Sequence, residues 1–269
     1  MASLGRPTDL LANLDRVTSL LAGARAGVFL DVDGTLAPIQ LDPSTVTITP
    51  RMRDAIATLS RSVTVVALSG RNAQMARAIV GVDGITYVGN HGAQWLQDGV
   101  ERVVPEAEPY VAKAQRIADA AEAQLGGING VIVEHKGPSV SLHYRATVDQ
   151  AAAVLAIDQF LDATPGVDAF VRLAGKMLVD LRPAIEVDKG TALSSVVANE
   201  DLSSVLVLGD DTTDVDAFLA LRRLRDAGRV AGLAVAVRSE GTSAAVLEAA
   251  DYTLASTEAV EHFLTWLAG

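Results

Sequence analysis

Two aspartates two residues apart close an apolar run at 27–39, GVFLDVDGTLAPI. Alternate residues of a strand share a face. Past the strand's end the backbone turns, so the carboxylates of Asp31 and Asp33 can converge on one point. Gly34 permits that turn, and Pro38 blocks an immediate helix. Two carboxylates at the C-terminal end of a strand suit a hard cation such as magnesium. The alternative of an EF-hand loop needs glycine at its sixth position and helices on both sides. Here Gly34 stands at the fourth position and the preceding run reads as a strand.

Three further strings follow apolar runs in the same way. VTVVA at 63–67 leads into LSGR, ending at Arg71, and a helix over 72–80. The Ser69 hydroxyl and the amides opening that helix can point at one anion. No glycine stands two positions before Ser69, so the nucleophile-elbow pattern of hydrolases is absent. ITYV at 85–88 leads into GNHGAQW, which brings Asn90 and His91 to a strand end. VLVL at 205–208 leads into GDDTTDVDAF, where Asp210, Asp211 and Asp214 crowd together. Such crowding is costly unless cations or donors compensate. Lys189, directly before Gly190 and another helix, is one such cation.

The elements that must carry these residues alternate along the chain. Apolar runs at 27–31, 63–67, 85–88, 205–208 and 233–237 read as strands buried on both faces, with helices at 50–60 and 72–80 and a return to the core over 183–198, where a helix follows Gly190. A helix over 8–22 with Thr8 as its cap covers the core. Between the halves the pattern changes. A long Ala-rich helix at 109–125 is followed by a hairpin, VIVEHK with SVSLHYR, a helix at 148–162, and strands at 167–172 and 176–181 joined by an Ala-Gly turn. That order describes a small antiparallel sheet backed by two helices, inserted into the first domain. The expected architecture is an α/β Rossmann-like parallel-sheet core, 1–103 and 183–269, with an α+β cap domain at 104–182. Open parallel sheets bind ligands at the C-terminal ends of their strands, where all the candidate residues fall.

Composition narrows the chemistry. The chain has 269 residues and a formal net charge of −11, which argues against nucleic acid. A phosphate site in that field needs its own local cations. There is no cysteine, so thiolate catalysis, disulfides and cysteine-ligated metals are excluded. No P-loop string is present. No apolar stretch is long enough to span a bilayer. Asp9 and Asp15 interrupt what would be a signal peptide's apolar core, so the expected compartment is the cytoplasm.

The string DVDGTL resembles the first motif of the haloacid-dehalogenase-like phosphatases. LSGR, the Lys189–Gly190 pair and GDDTTD resemble the other three. Taken with GNHGA, EHKGPSVSLHYR and LRPAIEVDKG, the chain is similar to the trehalose-6-phosphate phosphatase family over nearly all of its length beyond the first 25 residues. The resemblance implies that Asp31 is a nucleophile forming an aspartyl-phosphate, with Asp33 as general acid and base. It implies magnesium held by Asp31, Asp210 and the Asp33 backbone carbonyl, with Asp211 and Asp214 supporting the metal. Ser69 and Lys189 would steady the phosphoryl oxygens, with Arg71, Asn90 and His91 on the substrate side. Glu134 and Lys136, with Arg145 close by, would meet the sugar. Asp180 stands where the family carries Glu, and Val215 where it usually carries another. The implied substrate is the small-molecule sugar phosphate trehalose-6-phosphate, with functional coupling to a trehalose-6-phosphate synthase. Three alternatives stay open: another sugar-phosphate phosphatase, a phosphomutase, and a non-catalytic sugar-phosphate-binding regulatory domain. Asp31, Asp33, Lys189 and Asp210 are all present, which argues against the last.

Overall fold

A computed structural model describes residues 7–22, 25–40, 45–175 and 177–269. The chain divides into two compact units. One combines the residues up to Arg102 with Val187–Gly269; the other is the contiguous segment Val103–Glu186.

The first unit opens with β1 (Thr8–Asp9), α1 (Leu14–Leu21), β2 (Ala26–Asp31), α2 (Pro50–Leu59), β3 (Thr64–Leu68), α3 (Ala73–Val80), β4 (Thr86–Gly89), β5 (Gln94–Gln97) and β6 (Val100–Val103). It resumes after the second unit with α6 (Lys189–Asn199), β11 (Ser204–Gly209), α7 (Thr212–Asp226), β12 (Ala231–Val237), α8 (Ala244–Ala249), β13 (Tyr252–Leu254) and α9 (Thr257–Ala268). Nine strands form one sheet in the order β1-β13-β12-β11-β2-β3-β4-β5-β6. β2 and β11 pair in parallel at its centre and are buried throughout. Their side chains alternate between two apolar layers. Val28, Leu30, Leu206 and Leu208 face one, and Phe29, Val205 and Val207 face the other. Burial on both faces is what makes these strands read as unbroken apolar runs. Strand order runs outward from β2 in one direction and from β11 in the other. The reversal opens a crevice beyond the C-terminal ends of those two strands.

One local expectation gives way here, and one element is new. Thr8 does not cap a helix. Thr8–Asp9 pairs in parallel with Tyr252–Thr253, the Asp9 side chain caps a single turn at Leu10–Ala12, and α1 begins only at Leu14. Leu10 and Val17 are both fully buried, so a seven-residue spacing served a strand, a turn and a helix together. The β5–β6 hairpin is an element the sequence reading passed over. Its turn is Asp98–Gly99, both with positive φ (52° and 76°), a strong two-residue hairpin signal.

The second unit contains α4 (Glu108–Leu125), β7 (Ile132–His135), β8 (Val140–His143), α5 (Gln150–Ala163), β9 (Phe170–Gly175) and β10 (Leu178–Pro183). Its antiparallel sheet has the order β7-β8-β10-β9. Val140, Leu142 and Leu181 pack with Ile117, Ala121 and Leu125 of α4 and with Ile157 and Phe160 of α5. The expected Ala-Gly turn is instead the end of β9; the reversal comes at Met177, with φ 65°. Lys176, the expected start of the next strand, lies outside the described residues. The architecture is thus an α/β core with an inserted α+β domain. Among the described residues, no helix is long and apolar enough to cross a membrane.

Candidate active site

Asp31 ends β2 with 4% of its surface exposed. Its Oδ1 accepts a 2.6 Å hydrogen bond from Lys189 Nζ, while its Oδ2 is buried with no hydrogen-bond partner. Lys189 opens α6 and is 2% exposed. Asp188 caps this helix in a reciprocal box with Thr191, which fixes the direction from which the lysine enters. A side chain at Gly190 would put its first carbon 2.4 Å from the Asp216 carbonyl oxygen. Glycine there lets α6 and α7 approach closely enough for Lys189 to reach both Asp31 and Asp214, the latter at 2.7 Å.

Asp214 is fully engaged on both oxygens. Oδ1 takes the lysine, and Oδ2 accepts the backbone amides of Asp210 and Asp211, each at 3.0 Å. It therefore shapes the turn after β11 and anchors Lys189. Asp210 follows that strand and is buried. Gly34, with φ 88°, brings the turn after β2 so near that a Cβ would lie 2.1 Å from Asp210 Oδ2.

Oxygens of Asp31, Asp210 and Asp214 lie within 4.8 Å of one another, a grouping that could hold a metal ion. Two buried carboxylates, Asp31 and Asp214, share the one Lys189 ammonium, so negative charge is in surplus between them. Burial, and after it the Asp214 charge, push the Asp31 carboxyl well above the ordinary carboxylate range, against the pull of Lys189. Burial also opposes the Lys189 charge, but Asp214 and Asp31 outweigh it and hold the ammonium above its usual value. A divalent cation would remove the surplus. The unpartnered Asp31 oxygen is an open donor of the hard oxygen type that magnesium prefers.

Two further carboxylates lie outside that grouping. Asp211 is the exposed N-cap of α7, its Oδ1 accepting the Thr212 amide at 2.7 Å. The cap claims that carboxylate, which lies outside the metal-capable group. The Asp33 carboxylate is gripped by Arg71, with Nε to Oδ2 and Nη2 to Oδ1 both at 2.7 Å. A bidentate fork of this kind fixes orientation as well as charge. Arg71, expected on the substrate side, holds the Asp33 carboxylate through this fork.

Ser69 follows β3 and is buried; its Oγ accepts the Arg71 amide at 3.1 Å. The amides opening α3 are not all available to an anion. That of Ala73 is taken by Gln94 Oε1 and that of Met75 by Asn72 Oδ1. Asn90 and His91 lie beside this segment through backbone bonds, Asn90 N–H to Arg71 O at 2.7 Å and His91 N–H to Ser69 O at 3.0 Å.

In the inserted unit, Glu134, Ser141 and Asp180 form one cross-strand row. Asp180 is buried; Oδ1 accepts from Lys136 Nζ at 2.9 Å and Ser141 Oγ at 2.6 Å, and Oδ2 from Arg182 Nε at 2.6 Å. Glu134 pairs with His143 Nε2 at 2.8 Å. Arg145 lies half-buried beyond the end of β8. Lys136 and Asp180 are thus joined to each other, and Arg182 is a partner the sequence reading did not include.

Burial opposes the Asp180 charge, but Lys136 and Arg182 overcome it and hold the carboxyl far below the ordinary range. A folded value below the unfolded value of about 3.9 contributes stability above about pH 4 and loses it as pH falls toward the folded value. Asp180→Asn should therefore cost roughly 3 kcal/mol at pH 7, the scale of breaking a buried pair. That deficit should shrink below pH 4. Urea unfolding of both proteins at pH 7 and pH 3 checks it; an equal gap at both pH values refutes it.

The family model described as trehalose-phosphatase matches residues 29–257. The trehalose-phosphate phosphatase of Mycobacterium avium is 35% identical over 225 residues, covering 81% of this chain and 56% of that protein. Its counterpart in Mycobacterium leprae is 34% identical over 265 residues, covering 94% and 59%. An uncharacterized glycosyl hydrolase of Mycobacterium tuberculosis, Rv2006, is 33% identical over 249 residues, covering 88% of this chain and 18% of that protein. The chain therefore spans between 18% and 59% of the length of these curated relatives. The fold matches the C-terminal domain of Candida albicans trehalose-6-phosphate phosphatase with a TM-score of 0.76 at 21% identity, over 98% of this chain and 99% of that one. A trehalose-6-phosphate phosphatase related protein matches with a TM-score of 0.73 at 22% identity, over 90% and 96%. With the family model running from within β2 to the start of α9, across every residue of the Asp31–Lys189–Asp210–Asp214 cluster, the chain belongs to the trehalose-phosphatase family.

Proposed function

We propose that this chain is a magnesium-dependent phosphatase that hydrolyses trehalose-6-phosphate to trehalose and phosphate through a phosphate ester of Asp31. The observation that carries the reading is the Asp31 carboxylate, with one oxygen held by Lys189 and the other buried without a partner. Asp31 and Asp210 would hold the cation, with Asp214 in reach. When bound it supplies charge neutralisation and orients the phosphate.

The chain's own groups do the rest. The Asp31 oxygen attacks phosphorus, and the phosphorus–ester bond breaks with its electron pair going to the sugar oxygen. Asp33, after one of its oxygens leaves the Arg71 fork and takes a proton from solvent, gives that proton to the sugar oxygen, then takes one from the water that attacks the aspartyl-phosphate, releasing phosphate and restoring Asp31. Arg71 fixes where the Asp33 carboxylate points. Lys189, anchored by Asp214, and Ser69 steady the charge spread over the phosphoryl oxygens. In this reading the supplier of substrate is a trehalose-6-phosphate synthase and the compartment is the cytoplasm.

The similarity to trehalose-phosphate phosphatases supports the choice of sugar. The polar row on the inserted sheet supports a division of labour, with the core unit acting on phosphate and the inserted unit selecting the sugar. Asp180 then serves by orienting Lys136 and Arg182. Glu134→Ala should lower kcat/KM for trehalose-6-phosphate by roughly tenfold to a hundredfold, the worth of one charged hydrogen bond. Hydrolysis of p-nitrophenyl phosphate, which has no sugar to recognise, should change little. Equal losses on both substrates would refute the division.

The function itself is tested by phosphate release over a panel of sugar phosphates, with magnesium and with a chelator. Trehalose-6-phosphate should lead the panel, and the chelator should stop the reaction. Preference for another sugar ester would move the assignment to it. Activation by glucose bisphosphate would favour a mutase, and no release from any ester would end the enzymatic reading.

A further inference from the structure

Gln94 is a polar residue in an apolar place. It shares its face of β5 with Leu96, which belongs to the hydrophobic core, and only 5% of its surface is exposed. A buried amide must find its partners, and those of Gln94 lead to the candidate site. Its Oε1 accepts from Ala73 N–H at 3.1 Å and from Asn90 Nδ2 at 3.0 Å. Its Nε2 donates to Glu101 Oε1, whose other oxygen accepts from Gln74 Nε2 at 3.0 Å.

Asn90 and His91 carry the second observation. Both lie in the left-handed region, with φ 48° and 56°, and neither is glycine. Consecutive left-handed residues with side chains are strained and persist only where their surroundings hold them. The turn sets the His91 ring over Gly70, where an added Cβ would come within 2.6 Å of the imidazole. Gly70 directly follows Ser69, so the strain goes into placing one imidazole against the segment read as binding phosphate.

We propose that Gln94 is a positioning residue. It holds Asn90–His91 in the left-handed turn and so presents the His91 imidazole to the Ser69–Gly70 segment. The consequence for turnover rests on the phosphatase reading; the placement of His91 does not.

The test uses the intact protein with Gln94→Leu, Gln94→Glu, the exchange pair Gln94→Glu/Glu101→Gln, His91→Ala, and His91→Ala combined with Gln94→Leu. Gln94→Glu keeps the acceptor but sets a carboxylate against Glu101, and the exchange pair restores the bond with its direction reversed. Gln94→Leu and Gln94→Glu should each lower kcat/KM on trehalose-6-phosphate about tenfold, and the exchange pair should return it to within about twofold of wild type. The His91/Gln94 double variant should be no worse than His91→Ala alone, because effects passing through one residue do not add. The ¹⁵N resonances of the His91 imidazole should move in Gln94→Leu and return in the exchange pair. Wild-type kcat/KM in Gln94→Leu, a loss that adds fully to that of His91→Ala, or unmoved imidazole resonances would each overturn the proposal. Should Gln94→Leu not fold, Gln94→Glu and the exchange pair carry both measurements. Should the wild type release no phosphate from any sugar ester, the phosphatase reading fails, and the imidazole resonances alone decide the placement.

Discussion

Asp31→Asn is expected to abolish phosphate release from trehalose-6-phosphate while the protein unfolds no earlier than wild type. Removing a catalytic nucleophile costs roughly 10⁵-fold or more in turnover, because the amide cannot form the covalent ester. Stability should move the other way. Asp31, Asp210 and Asp214 converge within 4.8 Å, and the Lys189 ammonium joins Asp31 to Asp214. Neutralising one carboxylate relieves repulsion that the folded state bears for the sake of chemistry, the usual trade between activity and stability. Magnesium should raise the unfolding midpoint of wild type more than that of the variant, since a ligand stabilises the state that binds it. Thermal unfolding with and without the metal, beside a phosphate assay, checks both halves. Appreciable turnover by folded Asp31→Asn would remove Asp31 as nucleophile.

Lys189→Ala should lower turnover by roughly 10²–10³-fold, the effect of deleting one donor aimed at developing charge. The residue is not a solvated surface lysine, as its 2% exposure and its two carboxylate partners make plain. Its loss leaves Asp31 and Asp214 buried without their counter-charge, which should destabilise the metal-free protein by roughly 3 kcal/mol. Added magnesium should restore part of that stability but not the turnover. A variant that is destabilised yet turns over normally would reduce Lys189 to a structural counter-ion.

What the sequence made legible follows from how far apart the interacting residues lie. β2, β3, β11 and β12 announce themselves because burial on both faces leaves little but Val, Leu, Ala and Phe in them. Asp31, Asp210 and Lys189 could be found because each stands at the end of an apolar run or the start of a helix. Their convergence needed only the rule that such ends share one edge of the sheet. The fork from Arg71 to Asp33 and the buried tie from Lys136 to Asp180 span 38 and 44 residues, and no local pattern announces a partner at that range. Asp211 shows the converse difficulty: its role as the cap of α7, with Oδ1 accepting the Thr212 amide, is hidden in a string as dense in aspartate as GDDTTD. Thr8 was misread because Leu10, Leu14 and Val17 keep helical spacing across a strand end and a tight turn. Gln94 drew no notice because a glutamine in a short strand ordinarily faces water.

The insertion of Val103–Glu186 between the two halves of the core has a bearing on how the chain reaches its native state. The central parallel pair, β2 with β11, joins segments that flank the entire insert, so the first unit cannot complete its sheet by local pairing. Contacts of such long sequence separation are slow to form, because closing the loop costs entropy before pairing repays it. The insert is contiguous and carries its own apolar core. If it collapses first, the ends of β6 and α6 are tethered by a folded domain in place of a long coil, and the remaining closure is correspondingly cheaper. The element read as choosing the sugar would then also act as the clamp that brings the two halves of the catalytic sheet into register during synthesis.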